Sequence, residues 1–167
     1  MDEKMNQPSK KLVAVSHCIL NQNAVIHGWE RASGAFPFAL ELLKQGVAMI
    51  QLPCPEFITL GANRPPMTYE EYAQIPNYRK ICRDLLLPIL QQIQAYQQEG
   101  YEYLGIIGIN ESPNCSITDQ QGVLMEEFFS LCEVFAVSSD FFEVPVWYSE
   151  DHQENMTGLL AQFMERG

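Results

Sequence analysis

Four short apolar runs, separated by stretches of helical period, constrain this chain more than any other feature. Leu12-Val13-Ala14-Val15, Val47-Ala48-Met49-Ile50, residues 103–109 and Val134-Phe135-Ala136-Val137 each read as a buried strand. Residues 36–45 carry apolar side chains at helical spacing, with Gly46 placed to cap them. From Asn77, a candidate N-cap, a longer helix puts Cys82, Leu85, Leu86, Ile89, Leu90 and Ile93 on one stripe. Pro88 should kink that helix and Gly100 should end it. Thr118 and Gln121 have capping-box spacing for a helix through Leu131, and residues 155–164 read as a last helix. Residues 61–76, rich in Gly, Pro and polar groups, read as a loop.

Strands alternating with helices imply right-handed crossovers. The expected fold is therefore α/β, a three-layer Rossmann-like sandwich with a mostly parallel sheet. In such sheets, sites form outside the carboxyl ends of the strands.

At 167 residues the chain has the length of about one domain, expected over 11–167 behind a flexible N-terminal tail at 1–10. Its 47% apolar content rules out wholesale disorder. Ten basic against 21 acidic residues give 10 − 21 = −11, a balance that repels a nucleic-acid polymer. No apolar run approaches the ~18 residues of a membrane helix, and the polar start has no signal core, so a cytoplasmic protein is expected.

In a reducing compartment the five cysteines argue against a disulfide framework. Cys18, Cys54 and Cys115 each follow the carboxyl end of an expected strand, and a parallel sheet gathers those ends on one edge. Three converging thiolates repel one another unless something positive lies between them, so a metal ion or an iron–sulfur cluster is indicated. Three protein ligands leave one coordination position open for chemistry. Cys82 lies on the helical stripe and Cys132 beside an expected strand, where packing is the plainer role.

Ser16-His17-Cys18-Ile19-Leu20-Asn21, Cys54-Pro55-Glu56 and Ser112-Pro113-Asn114-Cys115 resemble, in order and placement, the signatures of the thiouracil desulfidase (DUF523) family. The resemblance spans roughly residues 13–124 and is closest to a TudS-related branch, through the stretches around Asn21-Gln22-Asn23 and Pro66-Met67-Thr68-Tyr69. His17, Asn21 and Ser116 stand where the commoner pattern has Ala, Gly and Gly. The resemblance implies a [4Fe-4S] cluster held by Cys18, Cys54 and Cys115. It also implies desulfidation of a small thiolated substrate, such as a nucleobase, with release of hydrogen sulfide. Glu56 and Ser112 are then the nearest candidates for catalytic side chains.

Such chemistry would be non-redox: the soft thiocarbonyl sulfur suits a thiolate-ligated iron, and water attacks the carbon. Glu56 would take a proton from water, the plainer reading being a solvated loop carboxylate. Ser112 would bond substrate or developing charge, the plainer reading being a turn serine. Asn110 and Asn114 would bond the cluster or substrate, unless they only form the turn. Asn21 and Asn23, in the loop after the first ligand, are further substrate-binding candidates, with Trp29 to stack on a ring. Arg64 would offset the cluster's charge or hold an anionic group, unless it is a surface charge.

Two alternatives share the same thiols. One is a zinc-dependent hydrolase with Glu56 as base. The other is a non-catalytic iron–sulfur redox sensor. Metal analysis separates zinc from iron with acid-labile sulfide.

Overall fold

The computed structural model describes residues 7–165. Four strands, β1 (Lys11–Val15), β2 (Val47–Gln51), β3 (Glu102–Ile109) and β4 (Phe141–Val144), form one sheet in the order β2-β1-β3-β4. Every pairing is parallel. Among the described residues seven α-helices accompany it: α1 (His17–Leu20), α2 (Ala39–Lys44), α3 (Pro55–Leu60), α4 (Tyr69–Ala73), α5 (Tyr78–Gln98), α6 (Val123–Phe135) and α7 (Met156–Glu165). This is the expected three-layer, Rossmann-like α/β fold. No helix among the described residues is long and apolar enough to cross a membrane.

The pleat divides the core in two. Leu12, Ala14, Tyr103 and Ile106 face α5 and α6, packing with Leu86, Leu90, Ile93 and Phe128. Val13, Val15, Leu104 and Ile107 face the other way, onto Leu42 of α2 and Leu160 of α7. The chain steps one way from β1 to β2 and the other way from β2 to β3, so the right-handed rule puts α2 and α5 on opposite faces. That reversal opens a crevice between the carboxyl ends of β1 and β3.

Glycine is required where β3 meets its neighbours. Gly105 has φ +128°, and a Cβ there would lie 2.2 Å from the Asp140 carbonyl oxygen. The β1–β3 register slips at this point, and Ile106 N–H donates to Asp140 C=O at 3.0 Å.

Several expectations need correction. Residues 134–137 do not form the fourth strand: Val134 and Phe135 close α6. Ala136 then turns left-handed at φ 55°, with the Ala136 and Val137 N–H groups donating to Glu133 and Cys132 C=O, a Schellman stop built without glycine. The strand is Phe141–Val144, so Ser138-Ser139-Asp140 precedes it rather than following it. Thr118 caps no helix: α6 begins at Val123, and the Thr118 hydroxyl bonds Glu143 instead.

Within the expected loop at 61–76, α4 forms behind a capping box in which Thr68 and Glu71 satisfy each other's backbone N–H groups. Asn77 is left-handed at φ 65° and makes no cap bond. The helix expected over 36–45 is shorter, running Ala39–Lys44, with the Phe38 N–H donating to the buried Tyr148 hydroxyl. α5 is continuous through Pro88, which is exposed.

Of the tail expected at 1–10, residues 1–6 lie outside the described residues. Ser9 donates to Gly46 C=O and Lys10 C=O accepts from Glu102 N–H, so the chain is already tied to the sheet there.

Candidate functional site

Each of the first three strands is followed, three to six residues on, by a cysteine, and the three cysteines line one cavity. Cys18 sits in α1, directly after β1. Cys54 is the N-cap of α3, and Pro55 at the first helical position both ends sheet pairing and starts that helix. Cys115 lies in the loop after β3. All three are half-buried and line one cavity of about 210 Å³. Glu56, Arg64, Asn110 and Ser112 line the same cavity, and Trp29, Val25, Ile26 and Met67 form its apolar side.

The Cys115 loop is held by close backbone approach. A Cβ on Gly108 would sit 2.6 Å from the Cys115 carbonyl oxygen, and one on Gly122 would sit 2.3 Å from the Asn114 carbonyl carbon. Between these bare backbones, Ile109 N–H donates to Cys115 C=O at 2.9 Å. The Ser112 hydroxyl oxygen accepts from the Cys115 and Asn114 N–H groups at 3.0 and 3.3 Å. Ser112 is thus the turn serine of this loop, and its own hydroxyl proton stays available to the cavity.

Beneath the cavity lies a buried polar hub. Arg64 Nε donates to Glu56 Oε1 at 3.1 Å, Nη2 stands at ion-pair distance from the same oxygen, also 3.1 Å, and Tyr72 donates to it at 2.9 Å. Asn114 Nδ2 donates to Oε2 at 2.8 Å, while Asn114 Oδ1 accepts from Tyr78. Arg64 also donates to Ala24 C=O at 2.7 Å. The segments that carry Cys18, Cys54 and Cys115 are therefore cross-linked through one carboxylate. With Arg64 7% and Glu56 8% exposed, neither is a surface charge. Burial and the neighbouring Glu56 charge hold the Tyr72 phenol protonated, as a donor.

The thiols stand in an environment hostile to lone thiolates. Burial, then the neighbouring Cys54 and Glu56, pushes Cys18 up to about 12, against a small opposing pull from Arg31. Burial also raises Cys54, with the Phe57 N–H and Arg64 opposing. Cys115 is raised well above the thiol range by burial and by Cys18, with Ser16 opposing.

Asn21 and Asn23 do not line the cavity: they bond each other, Asn23 N–H and Nδ2 donating to Asn21 Oδ1. The buried Gln22 between them does line it, donating to Cys18 C=O at 2.8 Å. Asn114 serves the hub rather than the cavity wall. Asn110 keeps its place on the wall, with Nδ2 donating to Glu143 at 2.8 Å and to Thr118. The ring of His17 is tied to Leu52 C=O at 3.0 Å, which places its proton on Nδ1.

Sequence reasoning missed two charged residues. Glu143, at the end of β4, accepts from the Ile117 and Thr118 N–H groups and the Thr118 hydroxyl, bracing the Cys115 loop. Burial pushes the Glu143 carboxyl up, but bonds from Thr118, Ile117 and Asn110 hold it below its usual value. Only correct placement of β4 would have found it. Arg31 lines the cavity and donates from Nη1 to Pro145, Val146 and Tyr148 C=O. No local motif marks it.

The donor set fits a guest with more than one metal atom. Among the described residues, no three His, Cys, Asp or Glu side chains are gathered as around a single ion. Ligands to a cubane need not be, since each grips a different iron. The fully buried Ser16 hydroxyl lies against Cys115, whose thiol it pulls down, and has no other partner among the described residues, so it is a donor that a ligated Cys115 sulfur would engage.

Fold and cavity together define a parallel α/β protein with a thiol-lined crevice at its topological switch point. The chain belongs to the same family as the uncharacterized protein MJ0003 of Methanocaldococcus jannaschii. The two are 45% identical over 137 residues, which cover 81% of this chain and 86% of the archaeal one. No family model matches the chain, and no solved structure does.

Proposed function

We propose that this protein is an iron–sulfur-dependent desulfidase that hydrolyses the C=S bond of a small thiolated compound such as a nucleobase. The observation that carries this reading is the convergence of Cys18, Cys54 and Cys115 on one cavity that Glu56 and Ser112 also line. Cys18, Cys54 and Cys115 would hold a [4Fe-4S] cluster, which when bound supplies an iron with an open position, a soft Lewis acid for a thiocarbonyl sulfur.

The chain's own residues divide the remaining work. Glu56 Oε1 is filled by Arg64 and Tyr72, and Oε2 accepts a bond from Asn114. The remaining lone pair of Oε2 is the one that takes a proton from water. Ser112 donates its free hydroxyl proton to the oxygen on which charge develops. Trp29, Val25, Ile26 and Met67 flank a planar ring and displace bulk water. The balance is C=S plus H₂O to C=O plus H₂S. The oxygen of water stays on carbon, both its protons leave with sulfur, and no electron is transferred.

The test is anaerobic purification followed by a hydrogen-sulfide release assay on a panel of thiolated pyrimidines and purines. Sulfide release matched by the oxo product supports the reading. Iron-loaded protein that turns over none of the panel contradicts it, and stoichiometric zinc without acid-labile sulfide favours the hydrolase.

A further inference from the structure

Among the described residues, three buried side-chain hydroxyls lack a well-formed hydrogen bond: Ser16, Thr59 and Tyr103. A buried hydroxyl left without a partner is unfavourable, so each calls for an explanation. Ser16 is the one whose surroundings supply it.

Ser16 stands at the N-cap of α1, where a serine hydroxyl ordinarily accepts a bond from the first turn. Here it makes no such bond. Its backbone is already satisfied, the N–H donating to Ile107 C=O at 3.0 Å and the C=O accepting from Ile19 N–H at 3.1 Å. That pairing with β3 fixes Ser16 in the crevice between β1 and β3, fully buried, beside the loop that returns Cys115. The Cys115 backbone is likewise spent, on Ile109 N–H and on the Ser112 hydroxyl. What remains between the two residues is one unspent O–H donor and one sulfur. The Ser16 hydroxyl lies against the Cys115 thiol and has no other partner, but a neutral thiol is a weak acceptor. A metal-bound thiolate is a strong acceptor.

We propose that Ser16 is a positioning residue whose hydroxyl donates to the sulfur of Cys115 when that sulfur holds the iron–sulfur guest. This rests on the desulfidase reading for the identity of the guest. A hydrogen bond to a ligand sulfur stabilises the more reduced, more negative state of a cluster, so it raises the reduction potential.

The experiment compares holoprotein of wild type, Ser16→Ala and Tyr103→Phe, reconstituted anaerobically. Tyr103→Phe removes an orphaned buried hydroxyl that lies in the core under α5 and α6, away from the cavity. Iron and sulfide content, the potential of the cluster by poised titration with electron paramagnetic resonance, and the melting temperature are measured on each. The expected result is a more negative potential in Ser16→Ala at unchanged iron content, with no shift in Tyr103→Phe. Apo-protein stability should be unchanged or higher in Ser16→Ala, because an unsatisfied group has been removed.

An unchanged or more positive potential in Ser16→Ala overturns the inference and leaves the desulfidase reading standing. So does a lower apo melting temperature with no shift of potential, which assigns Ser16 to folding alone. Wild type that takes up no iron and sulfide overturns the reading itself, and the inference with it.

Discussion

Two carboxylate–arginine networks of similar composition hold this molecule together, and they lie in different settings. The inner one joins Glu56, Arg64, Tyr72, Asn114 and Tyr78 beneath the cavity, with the Arg64 side chain 3% exposed. The outer one joins Arg79 and Arg83 of α5 to Glu126 and Glu127 of α6 and to Tyr69 of α4, with Arg79 and Arg83 39% and 53% exposed. The outer network buries Glu127 at 7% but keeps both arginines that pair with it in contact with water, which screens each pair. The inner network holds a charge pair out of water, where desolvation offsets most of the attraction. A polar hub of that kind is a poor way to gain stability. Its value lies in fixing one carboxylate and three cysteine-bearing segments in a single arrangement.

The largest effect that separates the two networks is on turnover. Glu56→Gln should slow sulfide release by roughly 10²–10⁴-fold, the range lost with a general base. Iron content should change little, since the amide still accepts from Tyr72. Chemical denaturation should find Arg64→Met destabilised by about 3–5 kcal/mol, because it strands a buried carboxylate. The matching outer change, Arg83→Met, should cost about 1 kcal/mol or less and should shrink further in high salt, as Arg79 still pairs with Glu127. Equal losses in the two variants would erase the distinction.

The smallest expected effect concerns pH and the Cys115 loop. Glu143 has a folded-state pKa below its unfolded value. Its contribution is therefore fully present above the unfolded carboxylate pKa and is lost as pH falls through the depressed folded value. Glu143→Gln should flatten the acid limb of a melting-temperature profile and leave the neutral limb parallel to wild type. A variant as acid-sensitive as wild type would show that Glu143 does not brace the loop.

How far the sequence could be read depended on whether the signal was local. β1, β2 and β3 were legible as apolar runs, and with them the three cysteines at their ends. The stop of α6 was not, because its left-handed residue is Ala136 where glycine is the usual marker, so 134–137 imitated a strand. α4 carried a readable Thr68–Glu71 capping box that the surrounding prolines and glycines obscured. At the site, the motifs pointed to Glu56 and Ser112, but the partners of Glu56 lie 8, 16 and 58 residues away. No local pattern shows that Arg64 and Asn114 are spent on that carboxylate, or that Arg31 reaches the cavity.

The central claim is that Cys18, Cys54 and Cys115 together hold one iron–sulfur guest. Cys82 of α5 and Cys132 of α6, 0% and 1% exposed in the core, serve as internal controls. Iron and acid-labile sulfide should be counted after anaerobic reconstitution of wild type and of five single Cys→Ser variants. The account predicts about four of each per chain in wild type, Cys82→Ser and Cys132→Ser, and a marked loss in Cys18→Ser, Cys54→Ser and Cys115→Ser. A full complement in any of the last three, or none in wild type, would contradict it.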